Sequence, residues 1–315
     1  MARKPRIHAP AAIYHVILRG NARQEIFADD KDRCRFYEIL QKSCERYRHR
    51  IHAFCLMGNH VHLELQVAEI ALSRIMQNIS QRYTQWHNWR HGKSGHVFQG
   101  RYKAVMVDAD SYLLELAAYI HLNPVRAHMT DRPENYRWSS HRAYMGKENL
   151  SWLETGFVLS QLSGTVGKAR SAFARYVDDR MAEGHRAEFH GGKSIDGRVV
   201  GDESFVAHAL ACAEKTPEHK PDVNTVVAAV KKMYDINDDS LRAQGRLRTI
   251  SGARGLAAWA TLELSCGKLT ELAPLLGRKP STLSCAMRRM ERRREKDPLI
   301  DEKMERLRRY LSESR

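Results

Sequence analysis

The chain has 315 residues, with 52 Lys and Arg against 37 Asp and Glu, a formal net charge of +15 at pH 7 and a sequence pI near 9.7. That excess favours a polyanionic partner, and 43% hydrophobic against 28% charged residues argues against wholesale disorder. Mean hydropathy is −0.55 and no uninterrupted apolar run approaches the length of a membrane span. The basic start, Met1–Pro10, lacks the apolar stretch of a signal peptide, so the expectation is a cytoplasmic protein without membrane partners. Six cysteines, at 34, 44, 55, 212, 266 and 285, form no CxxC pair and read as reduced core thiols.

The alternation over Ile13–Arg19, closed by Gly20-Asn21, predicts a first strand and turn. Asp29 and Asp30 are cap candidates for a helix to about Tyr47, with Cys34, Tyr37, Leu40 and Cys44 at helical spacing. Ile51–Met57 and Val61–Val67 flank Gly58-Asn59 as a hairpin. A helix from about Ile70 to Trp89 carries Leu72, Ile75, Met76, Ile79 and Tyr83 on one face. Lys103–Val107 predicts a fourth strand, and Asp110–His121 a helix stopped at Asn123-Pro124. The fold class is α+β: the order β-α-β-β-α-β is the ferredoxin-like split motif, with two helices on one sheet face. We assign 1–145 to this domain, 146–202 to a linker with local helices, including the His190–Lys193 segment, and 203–315 to an all-α domain. The helices of that domain are expected at Phe205–Glu214, Val223–Tyr234, Thr249–Leu264, Leu269–Leu276 and Thr282–Arg294, followed by a frayed tail.

His60 and His62 are two apart on a strand, so both imidazoles point to one face and can converge on one cation. A bare H-x-H is also what two surface histidines look like, and a metal needs more ligands. Tyr119 and Asn123 lie four apart on one helical face. An amide oxygen is a suitable ligand for Mg²⁺ or Mn²⁺, and a tyrosine one turn away sits beside the ion. A phenol is a poor nucleophile at its ordinary pKa of about 10; a neighbouring cation favours the phenolate and polarises a phosphodiester. Tyr112 and Tyr102 compete for the role, and a half-buried core aromatic is the plain alternative for Tyr119. His87 and His91 lack the Glu of H-E-x-x-H and read as solvated helix-end residues.

Four collinear segments together resemble the single-tyrosine HUH transposases, and within them the REP-associated tyrosine transposases. They are Tyr14-His15-Val16 with Arg19-Gly20-Asn21, Met57–Leu63, Gly100–Lys103 and Tyr119–Ala127, followed by Tyr136–Ser140. The resemblance implies that His60 and His62 hold the divalent ion, with Asn123 at the position of a third polar ligand. It implies that Tyr119 attacks single-stranded DNA beside a palindromic hairpin, leaving a 5′-phosphotyrosine and a free 3′-OH that later rejoins strands. Arg19, Arg101 and Lys103 are the phosphate-contact candidates, and relatives act as monomers or homodimers.

Leu269–Arg294 reads as a helix-turn-helix, with Ser281 as cap of the second helix and Arg288, Arg289, Arg292, Arg293 and Arg294 facing outward. From about Asp222 to Arg294 the chain resembles the C-terminal DNA-binding domain of the bacterial chromosomal replication initiator, in Val226–Tyr234, in 246–250 with Ala253-Arg254, and in Leu272–Leu283. The initiator's recognition signature is replaced by Lys279–Leu283, so its target sequence does not carry over. No G-x-x-x-x-G-K-[ST] occurs, so no nucleotide cofactor is implied. Arg248, Lys279, Ser281 and Thr282, with Arg288, Arg289 and Arg292, are the duplex-contact candidates, and a nucleoid-associated location follows. The alternatives are a non-catalytic DNA-binding regulator of palindromes and an HUH replication initiator.

Overall fold

The computed structural model describes residues 7–192, 196–214, 221–244, 247–265, 267–294 and 297–313. Lys193, Arg246 and Cys266, named above, lie outside them. The chain divides into two compact units, Met1–Lys215 and Thr216–Arg315.

The first unit begins with β1 (Ile13–Arg19), α1 (Asp30–Tyr47), β2 (Arg50–Leu56), β3 (His60–Gln66), α2 (Leu72–His91), β4 (Lys103–Val107), α3 (Ala109–His121) and the short α4 (Asn123–Arg126). Asp29 caps α1, its side chain accepting the Asp32 N–H at 3.1 Å. The buried stripe of α1 is Phe36, Ile39, Leu40, Ser43 and Tyr47, a step away from the expected one, because Cys34 is exposed and Tyr37 half-buried. All five apolar residues expected on α2 are buried. Pro124 does not stop the helical backbone. The chain kinks at Leu122 (φ −85°, ψ −4°) and resumes in α4, with proline in its first turn, where a missing N–H costs no hydrogen bond.

The sheet runs β2-β3-β1-β4-β5, with every pair antiparallel except β4 and β5. Opposed residues share a face, so Arg19 with His60, Ile17 with His62 and Lys103, and His15 with Glu64 and Val105 define one surface. Val16 with Leu63 and Ala104, and Leu63 with Phe54, define the other. On that second surface Phe54 meets Tyr37 of α1, their ring centroids 5.1 Å apart. Over the first lies α3, which packs on β2 and β3.

Residues 146–202 are no linker. After α5 (His141–Tyr144) they contribute α6 (Gly156–Ser160), α7 (Val166–Asp178) and β5 (Val199–Val200), and α8 (Glu203–Glu214) follows. Val158, Phe173, Val177, Phe189 and Val199 are wholly buried in the same core as the sheet. The helix expected to open the all-α domain therefore belongs to the first unit. Among the described cysteines only Cys55 is a core thiol; Cys34 and Cys285 are exposed.

The second unit holds α9 (Val223–Tyr234), α10 (Asp238–Arg242), α11 (Arg248–Glu263), α12 (Leu269–Leu275), α13 (Pro280–Arg294) and α14 (Pro298–Glu313). Its core includes Val226, Val230, Trp259, Leu272, Leu276, Leu283 and Met287. The expected frayed tail is α14, whose Met304, Leu307 and Leu311 fall on one helical face and are buried. Ser281 is not a cap, because α13 begins one residue earlier, at Pro280. Among the described residues no helix is long and apolar enough to cross a membrane.

Candidate functional site

The site lies on the sheet face beneath α3. β3 carries His60 half-buried near its start and His62 2% exposed two residues on. Gly20 closes the adjacent end of β1: its N–H bonds the Asn59 carbonyl at 2.8 Å, and a Cβ there would stand 2.1 Å from the Gln24 carbonyl oxygen.

Two hydrogen-bond chains determine which ring nitrogen of each histidine carries the proton. The Phe189 carbonyl can only accept, so the 2.8 Å contact requires His15 to donate from Nδ1. Burial holds the His15 pKa down at about 3, so the ring is neutral and its Nε2 is an acceptor. His62 therefore donates from Nδ1 to His15 Nε2, 2.8 Å away, and its own Nε2 keeps the lone pair. The second chain starts at the Arg23 carbonyl, which accepts Asn59 Nδ2 at 3.1 Å and so turns the Asn59 amide oxygen toward His60. His60 donates to that oxygen from Nδ1 at 2.6 Å, again leaving Nε2 as the lone-pair nitrogen. Burial lowers His60 to about 4 and His62 well below the usual imidazole value. Both are neutral near pH 7, the form a metal requires.

Tyr119 descends from α3 onto this face, 4% exposed, with its ring centroid 6.1 Å from that of His15. Its Oη lies 2.8 Å from His190 Nε2. The Arg126 guanidinium sits 4.3 Å above the Tyr119 ring and donates to the Tyr119 carbonyl at 2.8 Å. Burial raises the phenol's pKa, and Arg126 opposes the rise. Tyr112, also on α3, packs against the core with its ring 6.3 Å from that of Phe189. Tyr102 lies just before β4 and lines a cavity with Tyr14 and Ala104, away from the histidine face. Asn123 is half-buried one turn beyond Tyr119, donating from Nδ2 to the Tyr119 and Ile120 carbonyls at 3.2 and 3.3 Å. Its amide nitrogen thus steadies the helix end, and its oxygen keeps its acceptor capacity. The lone pairs of His60 Nε2 and His62 Nε2 are donors of the kind a borderline divalent cation takes.

Of the basic candidates, Arg19 and Lys103 are exposed and share the sheet face of the histidines. Arg101 is exposed before β4 begins. In the second unit Arg248, Lys279, Ser281, Thr282, Arg288, Arg289 and Arg292 are all exposed. Arg293 and Arg294 are instead tied to Asp297 and Asp301.

Sequence reasoning missed His15, Asn59, Arg126, Phe189 and His190. His15 lies in a quoted motif, and alternation from Arg19 through Ile17 puts it on the site face. Nothing local marks His190, which reaches the site only through the packing of a segment read as linker.

His87 is buried and His91 half-buried, so the pair is not the solvated helix end expected. His87 is 5% exposed, and His91 Nε2 donates to both Asp32 oxygens at 3.1 Å. Asp32, His87 and His91 have ligand-type atoms within 4.8 Å of one another, the spacing of a cation site. Asp32 already accepts the Ala28 N–H at 2.7 Å and is paired with Arg90, contacts that make the group an ion cluster tying α1 to α2. On the site face, Glu64 is fully buried, and neither carboxyl oxygen has a hydrogen-bond partner among the described residues. Burial pushes its pKa well above the carboxylate range.

Residues 9–123 match the family described as "Transposase IS200 like". That span runs from just before β1 to Asn123 and contains His15, His60, His62 and Tyr119. A solved structure described as a REP-associated tyrosine transposase bound to a REP hairpin is similar at 15% identity, with a TM-score of 0.40. The similarity covers 49% of this chain and 92% of that one. No curated protein matches the chain.

Proposed function

We propose that the first unit is a metal-dependent single-strand DNA endonuclease and strand transferase of the HUH type, using Tyr119 as nucleophile. The observation that carries this reading is the juxtaposition around His15. It is bonded to His62, whose Nε2 keeps its lone pair for a cation, and it stands beside the ring of Tyr119 on the opposing helix. The match of residues 9–123 to IS200-like transposases supports it. We read β1 to β4 with α1 and α2 as the ferredoxin-like motif, extended by β5, with α3 as the nucleophile-bearing helix on the other face.

In this reading His60, His62 and Asn123 hold Mg²⁺ or Mn²⁺. The two imidazoles favour Mn²⁺, since Mg²⁺ prefers an all-oxygen shell. When bound, the ion supplies Lewis-acid polarisation of the scissile phosphate. Arg126 holds the Tyr119 ring and helix end, and Arg19, Lys103 and Arg101 take DNA phosphates. The phenol oxygen displaces the 3′-oxygen from phosphorus, forming a 5′-phosphotyrosine and a 3′-OH. Attack of a 3′-OH on that linkage rejoins strands without an external energy source. The substrate is single-stranded DNA beside a palindromic hairpin, and the enzyme works in the cytoplasm at the nucleoid.

The second unit, in our reading, docks on duplex DNA through a helix-turn-helix formed by α12 and α13. Arg248, Lys279, Ser281, Thr282, Arg288, Arg289 and Arg292 are its contacts. Tethering raises the local concentration of the catalytic unit at its target.

The test is incubation of the full chain with hairpin oligonucleotides carrying single-stranded flanks, in Mn²⁺ or Mg²⁺, followed by denaturing gels. Wild type is expected to form a covalent adduct that chelator and Tyr119→Phe both abolish. An adduct with Tyr119→Phe would sink the nucleophile assignment. Hairpin binding with no adduct on any palindrome would favour the regulator instead.

A further inference from the structure

The residue on the nucleophile comes from a segment outside residues 9–123. Glu188–His190 form one 3₁₀ turn, and that turn touches both halves of the site. The Phe189 carbonyl accepts His15 Nδ1–H, and its fully buried ring lies 5.2 Å from the ring of Tyr119. His190 Nε2 meets Tyr119 Oη at 2.8 Å. Its ring is 5.6 Å from His15 and 6.0 Å from His62.

The turn is held in place from several sides. Arg186 bridges Glu115 of α3 at 2.9 Å and also pairs with Glu188. Gly191 follows at φ +70°, and a Cβ there would stand 2.2 Å from the Gly197 carbonyl oxygen, so the chain can leave the turn this way only with glycine. A histidine carried by so constrained a turn onto the oxygen of a buried tyrosine is placed for chemistry on that oxygen.

We propose that His190 is a catalytic residue, the acceptor of the Tyr119 phenolic proton. This rests on the strand-transferase reading. As Tyr119 Oη forms its bond to phosphorus, the O–H proton passes to His190 Nε2. The bond from phosphorus to the 3′-oxygen breaks, and that oxygen takes a proton from the resulting imidazolium, leaving a 3′-OH and neutral His190. In the rejoining step the same transfers run in reverse: His190 takes the proton of the attacking 3′-OH, and the departing Tyr119 oxygen recovers it. No oxidant or further reactant is needed.

The experiment is single-turnover adduct formation by the full chain with Mn²⁺ and a hairpin oligonucleotide, comparing wild type, His190→Ala and His190→Gln. A positioned general base contributes about 10²–10⁴-fold. Both variants are therefore expected to lose at least about 100-fold in rate at saturating DNA, with hairpin affinity within a few-fold of wild type. Added imidazole is expected to restore part of the rate of His190→Ala, a response that a merely structural role does not give. A wild-type adduct with unchanged rates in both variants overturns this assignment alone. Faster adduct formation by His190→Ala also overturns it, and makes the turn a cover over the nucleophile. Absence of any wild-type adduct overturns the strand-transferase reading, and this assignment with it.

Discussion

His15 Nε2 accepts a hydrogen bond from His62 Nδ1 at 2.8 Å, a bond whose direction is set 174 residues away by the Phe189 carbonyl on His15 Nδ1. Removing such an outer partner costs metal sites about 10–100-fold in affinity. His15→Phe keeps the buried ring and deletes the acceptor, so Mn²⁺ affinity should fall by that factor. His15→Gln, which offers an amide oxygen to His62, should lose less. Mn²⁺ titration followed by electron paramagnetic resonance, without DNA, checks this; unchanged affinity in His15→Phe removes His62 from the ligand set.

Glu64 gives a pH dependence of stability with a definite sign. Its folded pKa lies well above that of the unfolded chain because burial disfavours the charged form. The folded state therefore binds the proton more tightly. The contribution to stability is complete below the unfolded carboxyl value, about 4.3, and declines as pH rises through the folded value. Glu64→Gln removes the ionisation and should raise Tm at pH 8 while changing it little at pH 4. Equal shifts at both values would contradict a buried neutral carboxyl.

The Asp32 cluster carries the opposite sign. Burial acts to raise its pKa, but the Ala28 N–H, His91 and Arg90 outweigh that and hold it below the usual value. Its contribution is present above the unfolded carboxyl value, about 3.9, and is lost as pH falls through the lower folded one. Arg90 also bonds both Asp29 oxygens, at 2.7 and 2.6 Å. Arg90→Ala removes one of the two side chains, with His91, that stabilise the buried Asp32 carboxylate, and should lower stability at pH 7. Urea denaturation at pH 7 measures it, and a loss under about 1 kcal/mol would place the pair with ordinary surface bridges.

For the helical unit, alanines at the exposed Arg288, Arg289 and Arg292 of α13 should weaken duplex binding. The log–log salt slope should become shallower by about 0.9 per lost phosphate contact. An unchanged slope would return this face to solvated surface.

Much of the first unit was legible because its signals are local. Alternation gave β1, β3 and β4 to within a residue, and the H-x-H pair needs only strand geometry to share a face. The α1 stripe slipped because cysteines at helical spacing resemble a core face as well as Phe36 and Ile39 do. Pro124 was misread as a terminator because proline suits the first turn of a helix as readily as the position after one. The α14 tail was misread because its charged residues hide three apolar ones at turn spacing.

What the amino-acid order determined by itself was the chemistry on offer: two imidazoles on one strand face, a tyrosine and an asparagine one helical turn apart, and a second unit with exposed arginines. Periodicity and strand alternation act over a few residues, so they can be read without a fold. Only the tertiary structure decided that residues 146–202 complete the core, that the Phe189 carbonyl sets the His62 proton through His15, and that His190 meets Tyr119. Those contacts join positions 71 and 174 residues apart. They exist because burying Phe173, Phe189 and Val199 draws a distant segment onto the sheet, and such burial leaves no periodic trace beside the residues it brings together.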